Sequence, residues 1–204
     1  MAIDVISWIA VGLMLGTSTA ILINRDWRLS LGALAVQYIA AFWLVTRHLP
    51  FVMGSAKLIT GWMVVAALGM TRLGADSSTE DEKKESFLPR GQWFRVLLMC
   101  VVAFVSVGAT PRIESVIPGL GWPVIAGSLL LIGAGAVHLG MTSDTLNVIL
   151  GLLTILTGFE ILYAAIESSI LVAGLLAITN LGLGITGSYL LIAGTSPLEM
   201  EDEV

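Results

Sequence analysis

Cysteine and histidine are nearly absent from this chain: Cys100 stands alone, and His48 and His138 are the only histidines. One cysteine can form neither a disulfide framework nor a thiolate metal site, so Cys100, set in an apolar run, is expected to be a small packed residue. Two histidines are too few for a multi-histidine metal site or a bis-haem site. Charge is scarce as well, at 12% of 204 residues with a net charge of -5, and no basic patch exists to neutralise nucleic-acid phosphates. No phosphate-binding G-x-x-x-x-G-K-[ST] loop, no G-x-G-x-x-G after a strand and no nucleophile elbow occurs, so catalytic chemistry has no obvious seat. No cofactor, no metal and no nucleic-acid partner are expected. The opening "MAIDVISWIAVGLM" carries Asp4 and no basic residue, unlike a cleavable signal peptide, and is expected to be a permanent first span.

What the chain has in abundance is apolar sequence, 56% of all residues, with a mean hydropathy of +0.93. That composition describes an integral membrane protein, and its continuous runs, each near the ~20 residues a membrane helix needs, favour helices over strands. The expected fold is all-α and polytopic, with spans at 4 to 23, 29 to 47, 51 to 71, 93 to 109, 120 to 140, 145 to 166 and 169 to 193. Residues 1 to 73 make a three-helix segment, 74 to 92 a polar linker without apolar periodicity, and 93 to 204 a four-helix segment with a short acidic tail. "TPRIESVIPGLGWP" (110 to 123) reads as a Pro/Gly-rich connection. With the N-terminus outside, the cytoplasmic side receives Arg25, Arg28, Arg72, Lys83, Lys84, Arg90 and Arg95, and the outer side only Arg47 and Arg112. Lys and Arg resist translocation, so this orientation in the cytoplasmic membrane, with the C-terminus inside, is the expected one. The six tryptophans mostly fall near span ends, as interfacial anchors do. Glycines in "GSLLLIGAGAVHLG" (127 to 140) and "NLGLGITG" (180 to 187) are expected to bring helices close together.

Against this background the polar residues inside spans are conspicuous: Gln37, Lys57, His138, Glu160, Glu167 and the pair Thr179 and Asn180. A charge at bilayer depth costs at least ~2.5 to 3.5 kcal/mol, so each is a functional candidate with a partner to be found. Glu160 lies about 15 residues, or roughly 22 Å, into its span. It is a candidate proton relay, the alternative being a protonated acid hydrogen-bonded to a neighbouring helix. Glu167, on the same face, falls near the outer end, where solvation at the interface suffices. Lys57 either snorkels its ammonium to the outer surface or pairs with a carboxylate on a relay. His138, at the end of the fifth span, is read as a capping or interface residue ahead of a proton shuttle.

With spans and buried charges in place, the C-terminal half resembles the small K-type membrane subunit of respiratory complex I and the C subunit of Mrp-type cation/proton antiporters. "GFEILYAA" (158 to 165) is similar to that family's pattern of small residue, apolar residue, Glu, apolar residues, Asn, Ala, with Glu160 at the Glu. The Gly-rich "LLAITNLGLGITGSYLLIAG" that follows fits the same three-helix unit. "DWRLSLGALAVQYIAAFWLV" and "GSAKLITGWMVV" look like the second and third spans of the hydrogenase-4 component E family, which carries the K-like unit at its C-terminal end, so the likeness covers nearly the whole chain. The resemblance implies an accessory, non-catalytic membrane subunit of a hydrogenase-type or complex I-like assembly. It would work with other membrane subunits, moving protons or Na⁺, with Glu160 on a lateral path and Lys57 a second candidate. Two departures stand out: Ala164 replaces the usual Asn, and the last span lacks a second buried Glu, with Thr179 and Asn180 the nearest polar substitutes. The alternative is a structural subunit that scaffolds its partners without conducting ions.

Overall fold

A computed structural model describes residues 2 to 24, 26 to 76, 90 to 167 and 169 to 194. Seven helices follow one another: α1 (Ala2–Ile23), α2 (Trp27–Val45), α3 (Phe51–Asp76), α4 (Arg90–Val116), α5 (Trp122–Met141), α6 (Thr145–Ile166) and α7 (Ile170–Ala193). All seven are long and apolar enough to cross a membrane, and the described residues contain no strand, so the protein is an all-α, polytopic membrane protein. Most of the expected linker, residues 77 to 89 with Lys83 and Lys84, lies outside the described residues; α3 runs on to Asp76 and α4 starts at Arg90.

Local chemistry explains where the helices start and stop. Asp26 caps α2, its carboxylate accepting the Arg28 N–H at 2.9 Å, and Asp144 caps α6 by accepting from Asn147 N at 3.3 Å. Pro50 separates α2 from α3, as a residue that cannot continue a helix but can precede one. The fourth span corrects the expected boundary: the helix does not stop at 109 but carries Pro111 inside it and ends at Val116. The true break is at Pro118 to Gly121, where Gly119 (φ 98°) and Gly121 (φ 84°) adopt a backbone that side chains disfavour. Glu114 stabilises that turn by accepting both their N–H groups, at 3.0 and 3.1 Å.

Helices α5 and α6 are the most deeply buried and form the centre, while α4 and α7 are mostly exposed to the surroundings of the bundle and lie at the periphery. α1 and α4 flank α5, α2 fills the space between α1 and α6, and α3 and α7 pair outside α2 and α6. The α5/α6 contact depends on glycine: a Cβ on Gly135 would stand 2.7 Å from the Gly151 carbonyl, and one on Gly158 2.7 Å from the Ser128 carbonyl. Gly127, Gly184 and Gly187 are closely covered by side chains too, whereas Gly140 and Gly182 face open space, so the small-residue stripes pack on one side only.

One apolar core joins α1, α2, α5 and α6 around Met14, Leu44, Leu131 and Ile161. A second joins α2, α3, α6 and α7 around Leu34, Leu68, Leu150 and Leu153. The outward faces are apolar as well, with Phe104 81% and Leu171 77% exposed, as helices bathed in lipid require. Cys100 is on such a face: it is exposed, not packed as expected, because an apolar run in a membrane helix does not say which way each residue points. At the bundle end holding the start of α1, Arg47 pairs with Asp4 at 3.6 Å and the His48 ring lies 2.9 Å from the Leu120 carbonyl, tying the α2/α3 and α4/α5 turns together.

Candidate functional site: a buried ion pair between α3 and α6

Two charged side chains from distant parts of the chain meet where the two apolar cores join. Lys57 lies six residues into α3 and Glu160 fifteen into α6, and their side chains are only 9% and 6% exposed. Lys57 Nζ stands 3.9 Å from Glu160 Oε2. The lysine therefore does not snorkel; it turns inward to the one carboxylate buried in α6. The separation suits an ion pair but exceeds a direct hydrogen bond, and Glu160 Oε1 has no hydrogen-bond partner among the described residues.

The space beside the pair explains that geometry. A cavity of about 10 Å³ is bounded by Lys57, Glu160, Tyr38 and Thr157 and by apolar neighbours including Phe42 and Ile161. That volume is on the order of what a single water needs, and the polar partners such a water requires are on its wall. A carboxylate and an ammonium at this separation are within reach of a single bridging water.

Tyr38 extends the polar cluster toward α7. Its hydroxyl donates to Asn180 Oδ1 at 3.0 Å, and both side chains are buried, at 3% and 2% exposure. Thr157, one turn before Glu160, lines the same cavity as Tyr38, and its hydroxyl donates to the Leu153 carbonyl at 2.7 Å. Four helices thus contribute to a single cluster: Tyr38 from α2, Lys57 from α3, Thr157 and Glu160 from α6, and Asn180 from α7. A separate polar contact joins α1 to α2, where Ser18 Oγ donates to Gln37 Oε1 at 3.4 Å.

The remaining sequence candidates lie elsewhere. Glu167 is the exposed C-cap residue of α6, as its position near the span end predicts. Thr179 is exposed and its hydroxyl donates to its own helix at Leu175 O, so Asn180 alone carries the polar role of that pair. His138 is buried rather than capping at a surface, with neither ring nitrogen hydrogen-bonded among the described residues. It packs on Gly151, nine residues before Glu160 on α6, roughly 13 Å away along the axis, and is not part of the cluster. Among the described residues no three His, Cys, Asp or Glu side chains gather where they could hold a metal.

Tyr38 and Thr157 are the residues that sequence reasoning missed. Tyr38 did carry a signal: it sits near the middle of α2, where a phenol is far from the headgroup level and must find an internal partner. Thr157 carried none, because a threonine in a helix can satisfy its hydroxyl on its own backbone. No protein-family model, no curated protein and no solved structure matches the chain.

Proposed function

We propose that this chain is an accessory membrane subunit of a hydrogenase-type or complex I-like assembly, and that it contributes to proton or cation translocation through Glu160. The observation that carries the reading is the Lys57 and Glu160 pair, buried within a seven-helix bundle beside a cavity sized for one water. The likeness of "GFEILYAA" to the K-type pattern supplies the class of assembly. The two charges support each other in a low-dielectric interior, so a proton arriving at Glu160 removes the counter-charge of Lys57 and couples the protonation of the two groups. Tyr38 and Asn180 continue the polar cluster from Glu160 toward α7, taking the place that a second buried acid has in many K-type subunits. The subunit is non-catalytic and needs no cofactor of its own; partner subunits supply the redox chemistry and the rest of the path. It lies in the cytoplasmic membrane with its N-terminus outside, the side assignment that follows from the basic-residue asymmetry.

The same pair also joins α3 to α6, which supports the alternative of a scaffold whose charges only fix helix packing. Gentle purification from the native membrane separates the accessory reading from a stand-alone protein. Co-migration with other membrane subunits and a redox module is the expected result; a lone chain that supports ion flux in liposomes would overturn it. Lys57→Met then distinguishes relay from scaffold within the complex. The destabilisation of the single variant is common to both readings, so coupling is compared per assembled complex: a specific coupling defect is expected of a relay, and normal coupling in whatever complex assembles is expected of a scaffold.

A further inference from the structure

At the bundle end opposite the Glu114 turn, the helix ends enclose a second and much larger cavity, of about 240 Å³, with a polar wall. Two guanidinium groups line it, Arg72 from the last turns of α3 and Arg95 from the second turn of α4, together with Asn24, Trp27 and Asn147. We propose that this cavity binds a phosphate group, carried by an anionic lipid headgroup or by free phosphate, with Arg95 and Arg72 as its charged ligands.

Arg95 is held for such a role. Its Nη1 donates to the Leu22 carbonyl at 2.7 Å, at the end of α1, which fixes the planar group while committing one of its five donors. Asp144 also lines the cavity, but its carboxylate accepts the Asn147 N–H at 3.3 Å as the cap of α6, so its charge is directed at its own helix start. Among the described residues on the cavity wall, Asp144 is the one carboxylate beside the two guanidinium groups. Guanidinium forks match phosphate oxygens in shape and charge, and basic pockets between the ends of membrane helices suit headgroup phosphates. Trp27 on the cavity wall, its ring 5.2 Å from the Arg28 guanidinium, marks this level as the headgroup zone. The cavity is remote from the Lys57 and Glu160 pair, so the proposal does not depend on ion translocation.

The test uses the full chain in mild detergent, with native mass spectrometry to count retained phosphatidylglycerol and phosphatidylcholine, and thermal melting with and without inorganic phosphate. Retention of phosphatidylglycerol over phosphatidylcholine is expected, falling roughly fivefold or more in Arg72→Gln and in Arg95→Gln, and unchanged in Arg112→Gln, which lies beside the Glu114 turn at the other bundle end. Stabilisation by inorganic phosphate in the wild type, lost in both variants and without lipid selectivity, would assign the same site to free phosphate. Equal lipid retention in wild type and variants with no phosphate effect would overturn the proposal. Should the variants fail to fold, a photoreactive phosphatidylglycerol headgroup on the wild-type chain decides: crosslinks near Trp27 and Asn147 support the site, and crosslinks confined to other regions refute it.

Discussion

Neutralising one partner of the α3/α6 ion pair should destabilise the bundle more than neutralising both. At 3.9 Å and an effective dielectric near 20, two unit charges attract by about 4 kcal/mol, a gross figure set against the cost of taking both out of water. Lys57→Met or Glu160→Gln alone leaves its partner as an uncompensated charge in a site less than a tenth exposed, which costs about 3 to 5 kcal/mol. The amide introduced by Glu160→Gln would still offer a polar group to the cavity, so that variant should fall near the lower end of the range. The Lys57→Met, Glu160→Gln double variant leaves no charge behind, so its cost should be smaller than that of Lys57→Met alone. A double-mutant cycle, read by reversible unfolding in mixed micelles, measures this directly: the coupling should be about 2 to 4 kcal/mol in favour of the pair. Strictly additive single and double variants would refute the claim that the two groups hold each other as charges.

Other consequences follow from the same structure. Tyr38→Phe removes the donor to Asn180 and leaves the buried amide oxygen unsatisfied, which should cost about 1 to 3 kcal/mol in the same unfolding assay; Tyr38→Phe combined with Asn180→Leu should recover part of that loss. Gly158→Val places a side chain against the Ser128 carbonyl, and because backbone cannot step aside as a side chain can, the loss should exceed the ~1 to 3 kcal/mol of ordinary overpacking. Gly182→Val, where nothing stands within 4 Å, is the control and should melt close to the wild type apart from its small change in helix propensity. Glu114→Ala removes the acceptor of two N–H groups at the α4/α5 turn, and hydrogen-exchange protection of Gly119 and Gly121 should fall by roughly tenfold or more if those charged hydrogen bonds hold the turn.

The seven helices are legible in the sequence because membrane insertion rewards unbroken apolar length. The boundary that moves furthest is at α4, where Pro111 reads as a stop in a helix that its neighbours carry on to Val116. Membrane helices keep prolines more readily than soluble ones, since other groups can satisfy the freed carbonyl. The charged members of the site are legible for an energetic reason: a charged side chain at depth needs a partner, which singles out Lys57 and Glu160, whereas Tyr38 and Thr157 carry no charge to mark them. Their pairing is not, because nothing local in α3 or α6 records that the helices meet. Helical phase decides the rest. Asn180 faces inward to Tyr38 while its neighbour Thr179 faces out, and Cys100 faces out although its surroundings in sequence are uniformly apolar. In water, hydropathy marks the inside of a protein; in lipid both faces of a helix are apolar, and only polar residues and close-packed glycines mark the inside.

The most direct test of the central claim is coupled proton movement in the intact assembly carrying Glu160→Gln, a side chain of the same shape that cannot titrate. The account predicts impaired proton translocation per turnover in the complex that assembles. Unchanged translocation in a fully assembled complex would contradict it, and would leave the Lys57 and Glu160 pair a purely structural link between α3 and α6.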